Sequence, residues 1–167
     1  MSDPSCEGSE ALERLKDVLA QARRLGVEYY RLTGKPLGVT GEVAEYVAAE
    51  TLGLSLAPPR TEGYDALRGE ERIQIKGRAC KLPMKPGQRL SRIKRDAPCD
   101  KVLLVLLDVT TLDPFEMWEA PMSSVRDRLL IPSKSRERGS LGVGEFKAMA
   151  VRVWPVDDSN SSRRDGQ

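Results

Sequence analysis

The chain has 167 residues, enough for one domain with a sizeable hydrophobic core, and a formal net charge of +2. It contains no histidine, which excludes Ser-His-Asp and Cys-His mechanisms, histidine-containing deaminases and nucleases that pair histidine with a metal. Its three cysteines lack C-x-x-C spacing and indicate neither a disulfide framework nor a thiolate zinc site. Any catalysis must therefore use carboxylates, lysine and a metal ion.

Location and domain organisation follow from the distribution of apolar residues. No apolar run is long enough to cross a bilayer, and the first residues lack the apolar core of a signal peptide. We therefore expect a cytoplasmic protein without a membrane partner. We predict a single α/β domain at residues 9–155, with disordered tails at 1–8 and 156–167.

Two helices are predicted in the first third of the chain. The first runs from Ser9 to about Leu32, and its apolar stripe suits packing in the core or in a homodimer: Leu12, Leu15, Leu19, Ala22 and Leu25. The second begins at Thr40 and carries Glu42 and Glu45 on one face. Interaction with the helix N-terminus explains Glu42, whereas Glu45 lies among apolar neighbours. We therefore expect Glu45 to reach a polar group.

A β-hairpin follows, with strands predicted at 63–68 and 71–79. A two-residue loop at 69–70 pairs residues whose numbers sum to 139. That register places Asp65 opposite Gln74, with Cβ atoms about 5 Å apart.

The hairpin gathers three polar side chains. The two-residue period puts Gln74 and Lys76 on one face, and Ile73 and Ile75 on the other, toward a core. Asp65 and the Gln74 amide offer the oxygen ligands that Mg²⁺ prefers, and Lys76 could hold a phosphate or activate water. An exposed polar strand face is the alternative explanation.

Positive charge is concentrated directly after this hairpin. From Arg72 to Lys101 there are ten basic residues and two acidic ones, and the three prolines in 81–98 favour a loop. Such a loop would suit backbone phosphates, although a solubilising surface loop is the alternative. The residues expected to contact nucleic acid are Arg78, Lys81, Lys85, Arg89, Arg92, Lys94 and Arg95.

The remaining elements complete a scaffold. The uninterrupted apolar run at 101–109 predicts a central strand covered on both faces, and 115–120 predicts another strand. Together with the hairpin they form a small mixed four-stranded sheet flanked by helices. One more helix is predicted from about Pro121, and a final short helix carries Phe146, Met149 and Val153.

The order and spacing of the polar residues resemble the PD-(D/E)xK nuclease superfamily, over roughly residues 40–153. The resemblance consists of Gly41 and Glu45 on a helix, Asp65 on one strand and a Gln74-x-Lys76 motif on the next, in the branch that carries Gln at this position. It implies a restriction-endonuclease-like core and metal-dependent hydrolysis of nucleic acid, with DNA favoured. It also implies that Lys76 activates water, and that Mg²⁺ or Mn²⁺ is held by Glu45, Asp65, Gln74 and the backbone carbonyl of Ile75. The alternative is a catalytically inactive module of the same fold that binds nucleic acid.

Overall fold

Five helices and six strands form the part of the chain that a computed structural model describes, residues 4–58 and 60–156. The helices are α1 (Pro4–Thr33), α2 (Thr40–Leu52), α3 (Met122–Leu130), α4 (Lys134–Glu137) and α5 (Val143–Lys147). The strands are β1 (Ser55–Leu56), β2 (Ala66–Arg68), β3 (Glu71–Cys80), β4 (Lys101–Asp108), β5 (Pro114–Pro121) and β6 (Val151–Trp154). The predicted C-terminal tail lies outside the described residues from 157 onward.

The strands form one mixed sheet in which spatial order follows chain order, β1 to β6. Only β3 and β4 are parallel, and every other neighbouring pair is antiparallel. An α/β fold with a mixed sheet flanked by helices is therefore confirmed, but the sheet has six strands and not the four predicted. The additional strands, β1 and β6, lie at its two edges.

The final predicted helix is partly wrong. Helix α5 ends at Lys147, and Val153 lies in β6. In that strand Arg152 pairs with Trp118 of β5. Pairing with β5 therefore decides the conformation of this segment against its local helical spacing.

Strand β4 is the centre of the fold, as its apolar run predicted. All residues from Val102 to Leu107 are buried. Alternate side chains enter two separate cores on opposite faces of the sheet, with Leu103, Val105 and Leu107 on the face of α2. The opposite core receives Val102, Leu104 and Leu106, together with residues from α3 and α5.

The predicted apolar stripe of helix α1 is only partly buried. It begins at Pro4, so the predicted tail at 1–8 is helical over its described part. Leu15 and Leu25 of the stripe that was predicted to pack in the core or in a homodimer are exposed, because a different face of α1 contacts the domain, where Gly26 lies against Leu112. Leu19 and Ala22 are half-buried, and the side chain of Leu12 lies outside the described residues. No helix in the described ranges has both the length and the apolar character needed to cross a membrane.

Candidate active site

The predicted hairpin places Asp65 against strand β3. Its turn uses Gly69 in the left-handed region, at φ 61°, and the pairs Ala66–Ile73 and Arg68–Glu71 confirm the predicted register. The predicted strand at 63–68 forms only at Ala66–Arg68, so Asp65 lies just before β2 and outside the paired residues. Its backbone N–H donates to the carbonyl of Ile73 at 2.9 Å. Its carbonyl accepts from the N–H of Ala57 at 2.9 Å. The backbone of Asp65 is thus fixed from both sides.

The Asp65 carboxylate lies at an open edge of β3. Within the described residues, β2 pairs with β3 only as far as Ile73. Beyond that point the Ile75 N–H donates to Oδ2 of Asp65 at 2.7 Å. In a regular strand the N–H and C=O of one residue point to the same edge, so the Ile75 carbonyl is directed toward this edge as well.

Gln74 has a buried amide oxygen without a partner. The residue is only 9% exposed, and its Nε2 donates weakly to the carbonyl of Gly63 at 3.4 Å. That carbonyl can only accept, which fixes which end of the amide faces it. Oε1 accepts no hydrogen bond from any described residue. A buried, unsatisfied oxygen destabilises the folded protein by about 1–3 kcal/mol. A hydrogen-bond donor or a cation bound to Oε1 would remove this cost.

Glu45 approaches the site because α2 lies very close to β3. The contact occurs at Gly77, where a Cβ atom would come within 2.5 Å of the Ala44 Cβ and 2.9 Å of the Thr40 carbonyl oxygen. Glu45, the next residue along α2, is half-buried. Burial is the main reason that the pKa of Glu45 rises to about 7, and the negative charges of Asp65 and Glu42 add to the effect.

Lys76 places a positive charge near Glu45 and Asp65, which form the carboxylate cluster. It is half-buried and makes no hydrogen bond or ion pair within the described residues. Burial lowers its pKa, against the opposing influence of Asp65, Cys99 and Glu45. Glu45, Asp65 and Lys76 therefore lie within electrostatic range of one another.

These residues fit a hard divalent cation. The unpartnered oxygen of Gln74 belongs to the same strand segment as Ile75, whose N–H binds the Asp65 carboxylate, and oxygen ligands of these kinds suit Mg²⁺. Across residues 4–58 and 60–156 there is no group of three or more His, Cys, Asp or Glu side chains placed to hold a metal ion. The candidate set instead joins two acids, Glu45 and Asp65, to an amide and a carbonyl oxygen.

Two of the seven predicted nucleic-acid contacts are held by side-chain hydrogen bonds inside the protein. Arg78 donates to Oε1 of Gln88 through Nε at 3.2 Å and Nη2 at 2.7 Å. Arg89 donates to the Ser140 hydroxyl at 3.0 Å and to the Ser140 carbonyl at 2.7 Å. These two arginines help to fasten the 81–100 loop, which limits their freedom to bind phosphates.

The other five predicted cations are exposed: Lys81, Lys85, Arg92, Lys94 and Arg95. The loop that carries them is anchored by Leu90 and Ile93, which are buried in the core beneath it. Arg92, Lys94 and Arg95 also line a cavity of about 440 Å³. Their charge therefore faces solvent on a loop that the core holds in place.

The loop joins the carboxylate cluster directly. Gly63, at φ 88°, packs so closely on Pro98 that a Cβ atom would lie 2.2 Å from its Cδ. Lys94 lies 3.9 Å from Glu62, and Cys99 contributes to the electrostatic surroundings of Lys76 and Asp65. The loop that carries the exposed cations thus packs on the segment just before Asp65.

Sequence reasoning missed the residues that hold the site together. Gly63 supplies the carbonyl for Gln74, Pro98 packs on Gly63, and Gly77 admits α2. A signal was available only for Gly77, because glycine inside a strand often marks a close backbone approach. The sequence matches no protein-family model, and no curated protein matches it.

Proposed function

We propose that this protein is a metal-dependent nuclease that hydrolyses phosphodiester bonds of nucleic acid, with DNA as the favoured substrate. We place it in the PD-(D/E)xK superfamily, with a restriction-endonuclease-like core. The observation that carries the proposal is the unpartnered, buried Oε1 of Gln74, on the strand whose next residue, Ile75, binds Asp65. Glu45 and Lys76 lie within electrostatic range of that carboxylate.

Four oxygen donors would hold the ion: Glu45, Asp65, Gln74 and the carbonyl of Ile75. A bound Mg²⁺ or Mn²⁺ supplies positive charge that polarises the scissile phosphate and acidifies water. Asp65 is kept in position by the Ile75 N–H, and Gln74 by the Gly63 carbonyl. The ligands are therefore oriented before any ion binds, which lowers the cost of assembling the site.

In this proposal Lys76 accepts a proton from the attacking water and stabilises the negative charge that develops on the phosphate. Burial lowers its pKa, so its neutral amine is more accessible than that of an exposed lysine and can accept a proton from the attacking water. The resulting ammonium then lies beside the negative charge that develops on the phosphate oxygens. Partial exclusion of water strengthens that interaction relative to a surface lysine.

The exposed cations of the 81–100 loop are assigned to substrate binding. They would neutralise backbone phosphates next to the scissile one without reading the base sequence. The packing of Gly63 on Pro98 connects this loop to the carboxylate cluster, so a strand bound along the loop would reach Asp65.

A digestion panel tests the proposed reaction. Plasmid DNA, single-stranded DNA and RNA are incubated with the protein in Mg²⁺, Mn²⁺ or EDTA. We expect metal-dependent cleavage that EDTA abolishes, and a rate about a hundredfold lower or more for Asp65→Ala and for Lys76→Ala. Glu50→Gln, an exposed position near the end of α2, serves as the control and should retain full activity.

Two results would contradict the assignment. Full activity of Asp65→Ala or Lys76→Ala would remove the reaction from this edge of β3. Wild-type protein that binds nucleic acid but cleaves none of the three substrates would favour the inactive binding module.

A further inference from the structure

Helix α1 carries an exposed apolar stripe on a face that the domain does not cover. The stripe alternates steps of four and three residues, which is the heptad spacing of a two-helix seam: Ala11, Leu15, Val18, Ala22, Leu25, Tyr29 and Leu32. Five of these residues expose between 40% and 77% of their surface: Leu15, Val18, Leu25, Tyr29 and Leu32. A contiguous apolar stripe of this length on a folded domain indicates an interaction surface.

The stripe is complementary to itself in an antiparallel arrangement. If the helix of a second copy runs in the opposite direction, layers form between residues whose numbers sum to 40. Leu15 then meets Leu25, Val18 meets Ala22, and the small Ala11 lies opposite the large Tyr29. These three layers pair apolar groups without placing two large aromatic rings against each other.

Charges beside the stripe favour the same arrangement. The exposed positions that immediately precede Leu15, Ala22 and Tyr29 lie beside the seam. They are Arg14, Gln21 and Glu28, which are basic, neutral and acidic in chain order. In the antiparallel pair Arg14 faces Glu28 of the second copy at both ends, and Gln21 faces its own equivalent in the middle. A parallel pair would instead place these residues against Leu19, Gly26 and Thr33, with no opposite charge to meet.

We infer that a second copy of this chain covers the stripe, and that the protein is a homodimer through antiparallel contact of two α1 helices. The apolar layers supply most of the affinity and the Arg14–Glu28 contacts set the direction. This inference is independent of the proposed nuclease function, since none of the candidate active-site residues lies on α1.

Sedimentation velocity of the full chain over a range of concentrations tests the interface. We expect wild-type protein to sediment as a dimer of twice 18.5 kDa. Leu25→Glu should weaken dimerisation by at least about tenfold, because it places a charge in an apolar layer. Leu130→Glu is the matched control, since Leu130 on α3 is 60% exposed and Leu25 is 59% exposed, and it should remain dimeric. Circular dichroism of both variants checks that they are folded.

A charge-reversal pair tests the direction of the helices without disturbing the core. Arg14→Glu should weaken the dimer severalfold by facing Glu28 with a like charge, and adding Glu28→Arg to the same chain should restore it. A monomeric wild-type protein, or a Leu25→Glu variant as dimeric as wild type, would overturn the inference and leave the stripe to a different partner. Failure of the double variant to recover would overturn the antiparallel arrangement.

Discussion

Asp65 accepts a hydrogen bond through Oδ2 from the backbone N–H of Ile75, at 2.7 Å. This bond connects the residue before β2 to a part of β3 that does not pair with β2, and it fixes the carboxylate at the backbone of the residue that follows Gln74. The second oxygen, Oδ1, accepts no hydrogen bond in the described part of the chain. This positioned carboxylate and the unpartnered amide oxygen of Gln74, one residue before Ile75 on β3, are the basis for the candidate metal site.

Substitutions at Gln74 test whether its amide oxygen is a ligand. Gln74→Glu adds a negative charge and should tighten Mn²⁺ binding, whereas Gln74→Leu removes the oxygen at similar bulk and should weaken it. Titration calorimetry with Mn²⁺ measures both affinities. Equal affinities for the Glu and Leu variants would mean that this side chain does not touch the metal.

Gly77 should tolerate no side chain, because α2 lies directly on it. A Cβ atom there would lie 2.5 Å from the Ala44 Cβ. We expect Gly77→Ala to reduce the free energy of unfolding by about 1–3 kcal/mol and to displace Glu45 from the site. Gly41 lies on α2, and a Cβ atom added there would meet no atom within 4 Å. Gly41→Ala should therefore leave the free energy of unfolding unchanged or raise it by up to about 1 kcal/mol.

Urea unfolding of the two glycine variants, with Mn²⁺ titration of each, measures these effects. Equal unfolding free energies for Gly77→Ala and Gly41→Ala would show that α2 does not depend on close contact at Gly77.

Local patterns were sufficient to predict the hairpin and the central strand. The turn at Gly69 and the two-residue period determine the register, in which Ala66 pairs with Ile73 and Arg68 with Glu71. The apolar run of β4 likewise required burial on both faces. These elements are determined by interactions between residues near in sequence or by burial alone.

The edge strands could not be predicted from local patterns. β1 has only two residues, Ser55 and Leu56, and shows no period. The segment with Phe146, Met149 and Val153 has helical spacing, yet its last part pairs with β5. Tertiary pairing decides both segments, and a single sequence does not reveal it.

The candidate site was predicted in outline but not in its details. Counting charges cannot reveal that Arg78 is held by Gln88, or Arg89 by Ser140. The unpartnered oxygen of Gln74 likewise depends on its surroundings in three dimensions. The sequence supplied the residue types, and long-range contacts decide which of them are free to bind.

Glu45 should make the stability of the metal-free protein depend on pH. Its pKa rises from 4.5 to about 7 in the folded protein, so the folded state holds the proton more tightly than the unfolded state. Stability should therefore fall as the pH rises from about 4.5 to about 7, and the loss should be complete above that range. Mn²⁺ should stabilise the protein most above about pH 7, where the carboxylate is free to bind.

Urea unfolding at a series of pH values, without metal, measures this dependence. Glu45→Gln should flatten the curve in this window, whereas Glu50→Gln should leave it unchanged. If the free energy of unfolding of Glu45→Gln falls with pH as steeply as that of the wild type, another group is responsible for the pH dependence.

The exposed cations of the 81–100 loop should contribute affinity without sequence preference. Three of them are changed to glutamine together: Lys85, Arg92 and Lys94. We expect weaker binding to every duplex, with about 0.9 lost from the log-log salt slope per phosphate contact removed. Arg89 is left in place because its bonds to Ser140 are structural.

A matched variant removes three exposed cations on α1 and the turn that follows it, Arg24, Arg31 and Lys35. Fluorescence anisotropy at several salt concentrations compares the two triple variants. The control should keep the wild-type slope, and a loop variant that also keeps it would remove the loop from the interface.

Anomalous diffraction from crystals soaked in Mn²⁺ would locate the metal most directly. We predict a peak at the open edge of β3, within coordination distance of an Asp65 carboxylate oxygen and Oε1 of Gln74, that is lost in Asp65→Ala crystals. Mn²⁺ found only elsewhere on the protein, or no peak at this edge under saturating Mn²⁺, would contradict the proposed metal site.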